Sequence, residues 1–108
     1  MSKAVPSTLF GHRLRAARER AFLPQDRLGV LIGLDEGCSS ARISRYETGT
    51  HEPPFSIAVS LARVLKVPVA YLYCVEDDIA DLILNLGHLT RGKRAKIAKA
   101  AQRAVELN

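Results

Sequence analysis

The chain has 108 residues, 47% of them apolar and 25% charged, a balance that suits one globular domain and excludes a fibrous or disordered chain. A net charge of +5 and a pI near 9.6 favour a polyanionic partner. No apolar stretch reaches the roughly 18 residues of a membrane span, and the opening MSKAVPSTLFGHR lacks the apolar run of a secretory signal. The expected setting is therefore the cytoplasm, with Cys38 and Cys74 as thiols.

In chain order, Ser7 or Thr8 caps a first helix that carries Leu9, Phe10, Leu14 and Ala17 on one face. It ends near Ala21, because Pro24 disfavours the α conformation at Leu23. Pro24 opens a second helix, with Asp26 at its positive dipole end and Leu28, Leu31 and Ile32 along it, closed by Gly33. A third runs near 40–48 and stops at Gly49. Pro53 and Pro54 start a fourth, with Phe55, Ala58, Val59, Ala62 and Leu65 inward, and a short helix follows from Pro68 through Leu72. Ile79, Leu82, Ile83 and Leu86 form the stripe of another helix, ended by Gly87. Thr90 caps a final one running to about Leu107. No strand-period alternation persists, so the expected class is an all-α bundle.

Two short helices across a glycine turn, with one helix before and two after, describe a helix-turn-helix core. The pattern Arg18, Pro24-Gln25-Asp26-Arg27-Leu28-Gly29, Ile32-Gly33, Ile43-Ser44-Arg45-Tyr46-Glu47-Thr48-Gly49, Pro53 and Leu61 to Val67, closed by Leu72, resembles the Cro/cI-type (XRE family) helix-turn-helix DNA-binding regulators. The resemblance covers roughly residues 9–73 and implies a five-helix, phage-repressor-like domain. The domain spans 1–75, and 76–108 form an extension of one or two further helices. The implied function is a sequence-specific transcriptional regulator of double-stranded DNA, most simply a repressor. The rival reading is a protein-interaction module on the same fold, such as an antitoxin or an anti-repressor.

A helical wheel puts Ser40, Ala41, Ser44, Arg45 and Thr48 on one face of the third helix and Ile43 and Tyr46 opposite. Short side chains with one arginine can approach base edges: arginine pairs with guanine, serine with several bases, and a methyl packs on thymine. The resemblance assigns base reading to Ser40, Ala41 and Arg45, with Ser44 beside them. It places Gln25 on a phosphate, while Arg42, Thr50 and His51 flank the reading helix as further phosphate contacts. It also makes Arg18 and Glu47 a structural ion pair.

The chain departs from the family pattern in one large respect. Gly33 to Glu47 spans fourteen residues where ten are usual, so about four are inserted, within Asp35-Glu36-Gly37-Cys38. Because Gly, Cys and Ser are poor interior helix residues, a longer loop is expected, with Ser39 as N-cap; the rival is a helix capped by Asp35 and starting at Glu36. Phe22 and Lys66 stand where glycines are usual. Val30 and Leu31 are apolar at positions normally polar, and ask for cover from the insert or from a partner chain.

The charge outside the core is segregated: residues 76–81 hold four acids and no base, and 91–103 hold six bases and no acid. The two C-terminal helices are expected either to build a homodimer interface, matching a two-fold operator, or to pack on their own domain. No catalytic set is expected, since His12, His51 and His88 lie in separate segments, and no metal or cofactor motif is present. Cys38, as a loop thiol near arginines, leaves redox sensing as a further reading.

Overall fold

The computed structural model describes residues 8–108, and Ser7, one of the two cap candidates, lies outside them. Six α-helices and one 3-10 helix follow in order, with no strand among the described residues. They are α1 (Leu9–Arg20), α2 (Gln25–Leu31), α3 (Glu36–Thr48), α4 (Phe55–Leu65), the 3-10 helix Val69–Tyr73, α5 (Asp77–Gly87) and α6 (Arg91–Leu107).

The caps follow the side-chain chemistry. Thr8 accepts the Gly11 N–H on its hydroxyl at 3.0 Å, and Thr90 accepts that of Lys93 at 3.3 Å. Three helices end with one geometry. Leu23 N–H reaches Arg18 O after α1, Leu34 N–H reaches Gly29 O after α2, and Val67 N–H reaches Ala62 O after α4. Each closure needs a left-handed residue, and these are Phe22 (φ +56°), Gly33 (φ +97°) and Lys66 (φ +59°). Phe22 and Lys66 thus keep the backbone of the glycines they replace, at a cost in strain.

Leu14, Leu28, Ile43, Leu61, Tyr71 and Leu72 form the centre of one core, joined by Phe10, Tyr46, Ala58 and Leu65. Ala80 and Leu84 belong to it too, so α5 completes the body of the domain against the 3-10 helix. Buried Arg13 locks the junction: its guanidinium donates to the carbonyls of Cys74 and Val75 and pairs with Asp77 at 3.0 Å. Phe55, expected inward, instead stands 63% exposed as the first residue of α4, where the helix face has not yet turned to the core.

α6 is different. None of its 17 residues is buried, and it extends the molecule to 53 Å against 25 and 24 Å in the other directions. At 1.5 Å per residue it is about 26 Å long.

α3 departs from the expected loop and shorter helix. It begins at Glu36, with Asp35 at the N-cap, so the inserted residues form helix and not loop. Four residues are close to one 3.6-residue turn, so the insert adds a turn without rotating the faces that follow. Ser39 is therefore no cap. It is wholly buried at the end of the first turn of α3, where its hydroxyl donates to the Asp26 carbonyl of α2. Gly29 permits that approach, since a Cβ there would sit 1.9 Å from Ser39 Oγ. The insert also gives Val30 and Leu31 little cover, and they remain 37% and 44% exposed.

Candidate nucleic-acid interface

The site is built around a buried carboxylate. Glu47, at the end of α3, is wholly inaccessible and accepts four hydrogen bonds. Arg18 donates through Nε at 2.5 Å and through Nη2 at 3.1 Å, Arg15 through Nε at 3.1 Å, and Gln25 through Nε2 at 3.1 Å. Arg18 also donates to the Leu23 carbonyl at 3.0 Å. One acid thus ties α1, the start of α2 and the end of α3 together, and Arg18 is itself only 3% exposed. Burial pushes the Glu47 carboxyl up, but the hydrogen bonds from Arg18, Gln25 and Arg15 with the Arg18 charge outweigh it and hold the group below its ordinary value.

Sequence reasoning found Arg18 with Glu47 and missed Arg15, although Arg15 and Arg18 are three apart and so share a face of α1. It missed Gly11 as well. A Cβ at Gly11 would lie 2.0 Å from the Glu47 carbonyl oxygen, so α1 touches the backbone of α3 at the residue whose side chain it clamps.

This clamp sets which face of α3 looks outward. Ile43 and Tyr46 are buried, as the wheel requires. Ser40, Ala41 and Arg45 are exposed, and Ser44 and Thr48 half-buried. All four residues expected to read bases therefore lie on the accessible side of one rigid helix, with the lengthened first turn (Glu36 to Ser39) ahead of them. Asp35 and Glu36 are exposed there and place negative charge at the tip.

The flanking residues are more varied. Thr50 and His51 are exposed just past the helix, where Thr50 and Thr48 share a hydroxyl contact of 3.0 Å and the His51 N–H caps Arg45 O. Arg42 is half-buried, and the neighbouring Tyr46 hydroxyl raises its pKa further. Gln25 does not point freely outward, because Glu47 accepts from its amide. What α2 still offers there is the backbone N–H groups of its first turn, which have no partner within the helix.

Among the described residues no three His, Cys, Asp or Glu side chains gather to hold a metal ion, and no helix is long and apolar enough to cross a membrane. Cys38 is exposed on the added turn, and Cys74 is half-buried and distant in sequence.

Residues 9–72 match the model of a family described as a helix-turn-helix domain. The chain belongs to that family. The match runs from the first residue of α1 into the 3-10 helix, and so takes in the clamp and the whole of α3. The chain is also similar to a solved structure, the crystal structure of the transcriptional regulator BswR, with 44% sequence identity and a TM-score of 0.81 over 86% of this chain and 92% of that one. No curated protein matches it. The BswR likeness extends past the helix-turn-helix residues, since 86% coverage exceeds the span 9–72.

Proposed function

We propose that the protein is a sequence-specific regulator of transcription that binds double-stranded DNA by laying α3 in the major groove. The observation that carries this reading is the exposed face Ser40, Ala41, Ser44 and Arg45, held in one orientation by the buried Glu47 clamp. Arg45 suits a bidentate contact to guanine, the serines pair with several base edges, and the Ala41 methyl packs on thymine. Arg42, Thr50, His51 and the first backbone N–H groups of α2 at Gln25 serve the phosphates, and supply salt-dependent affinity without sequence choice. The simplest regulatory outcome is repression by occupying a promoter. Membership of a helix-turn-helix family and the likeness to a transcriptional regulator support the reading.

The added turn changes how α3 meets DNA. Ser40 is the fifth residue of α3, so about 6 Å of helix precedes the reading face. A helix with acids at its tip cannot enter the groove end-on against phosphates. It lies along the groove floor, where Glu36 is positioned to accept from a cytosine amino group.

The protein acts as a homodimer. α6 has an apolar stripe of Ile97, Ala101 and Val105 with no cover, and Ile79 and Leu82 of α5 are 41% and 49% exposed. The acids at 76–81 complement the bases at 91–103 on a second copy. Truncation after His88 keeps Ala80 and Leu84 in the core, and sedimentation of that form is expected to show a monomer where the full chain is a dimer. A truncated dimer removes the assignment.

The deciding experiment is selection from a random duplex pool. Enrichment of a palindromic motif with half-sites about one helical turn apart supports the regulator. No enrichment by the folded full chain overturns it in favour of a protein-binding role on the same fold.

A further inference from the structure

Positive charge also gathers well away from α3. Arg63 and Lys66 at the end of α4, His88 in the turn between α5 and α6, and Arg94 in the first turns of α6 line one cleft of about 580 Å³. No acidic side chain lines it, and no residue of α2 or α3 reaches it. Among the described residues the ion pairs use Arg13, Arg15 and Arg18, and leave Arg63, Lys66 and Arg94 without a carboxylate. The negative end of the α4 dipole accounts for cations in its own last turn. It does not account for Arg94, brought in from α6.

The walls that α4, Pro68 and the end of α5 supply are fixed before anything binds. Lys66 is held left-handed, with its N–H on Arg63 O at 3.2 Å and the next N–H on Ala62 O at 3.0 Å. Gly87 closes the end of α5 so tightly on Pro68 that a Cβ there would lie 2.8 Å from Pro68 Cδ. A neighbouring cleft of about 570 Å³ shares Lys66 and His88 and adds Arg20, with Asp81 as its acid. Guanidinium groups from two helices facing one pre-formed space match the bidentate geometry of phosphate oxygens. The volume lies within the range of small-molecule sites, and the wall offers charge in place of an aromatic platform.

We propose that this cleft binds the diphosphate group of a phosphorylated small molecule, gripped by Arg63 and Lys66 from the body and by Arg94 from α6. The bound anion bridges α4 and α6 and so fixes the projecting helix against the domain. This gives a short regulator an effector site at the base of its C-terminal arm, remote from the reading face. The inference does not depend on DNA binding, so a failed duplex selection leaves it standing and a failed anion titration leaves the DNA reading standing.

The test is calorimetric titration of the full chain with inorganic pyrophosphate and, in a second arm, with ADP. One saturable site per chain is expected, with affinity lowered on the order of tenfold or more in Arg63→Gln/Arg94→Gln, because each lost contact is a charge-assisted hydrogen bond. Both side chains are exposed, so the double variant keeps the fold, checked by circular dichroism. Arg45→Ala is expected to bind pyrophosphate as the parent does. Tighter binding of ADP than of pyrophosphate identifies a nucleotide, and equal binding a free diphosphate; either supports the site. No saturation at millimolar concentration, unchanged affinity in the double variant, or loss of binding in Arg45→Ala overturns the proposal.

Discussion

Replacing Glu47 by alanine removes the shared acceptor of Arg15, Arg18 and Gln25 in one step. Arg15 is partly exposed and can turn toward water, but Arg18 is 3% exposed and keeps only the Leu23 carbonyl. Stranding a buried cation costs about 3–5 kcal/mol, a large share of the roughly 5–15 kcal/mol that holds a domain of this size. Urea unfolding followed by circular dichroism reads this as a fall of roughly 2 M in midpoint. Replacing both partners with apolar residues, Arg18→Met with Glu47→Leu, is expected to recover much of the loss, since no charge is then left buried. The pH dependence has a definite sign. The Glu47 pKa is depressed in the folded state, so the stabilisation is complete above the unfolded carboxylate value of about 4.3 and is lost as the pH falls through the lower folded value. The double variant should lack that acid-side slope. A loss below about 1 kcal/mol in Glu47→Ala, or a double variant no more stable than the single one, would refute the clamp as described.

Gly11→Ala drives a methyl into the Glu47 carbonyl, 2.0 Å away, and should destabilise by about 3 kcal/mol or more while also weakening DNA binding through a displaced α3, measured by unfolding and fluorescence anisotropy. Phe22→Gly relieves a left-handed residue whose ring is 91% exposed and should raise stability by up to about 1 kcal/mol; a loss of stability would mean that the ring packs against something. Arg45→Ala should relax sequence choice at one position by roughly 1–3 kcal/mol in competition against mismatched duplexes. Uniform weakening across sequences would instead make Arg45 a phosphate contact.

Most of the helices were legible in the sequence because their signals are local. Gly33, Gly49 and Pro24 mark helix ends through backbone sterics, and the spacing of Leu9, Phe10, Leu14 and Ala17 is a property of one helix. The outward face of α3 was legible for the same reason, as was the Arg18–Glu47 pair through family resemblance. Ser39 was misjudged because its helix propensity points one way and its tertiary contact another. Burial against Gly29 and a hydroxyl bond to Asp26 hold a Gly-Cys-Ser stretch in a helix that propensity alone disfavours. Arg15 and Gly11 were illegible because their significance lies in the crossing of α1 and α3, thirty-odd residues apart in the chain.

The sequence by itself determined an all-α chain, the positions of nearly all its caps, and the residues that α3 turns outward, since each follows from periodicity and local backbone chemistry. Only the tertiary structure decided that the four extra residues extend α3 by a turn, that α5 closes the core through Ala80 and Leu84 while α6 stands clear, and that Arg63, Lys66, His88 and Arg94 share one cleft. These outcomes depend on which helices cross and how closely, and a close approach is set by the partner surface as much as by the residue that makes it.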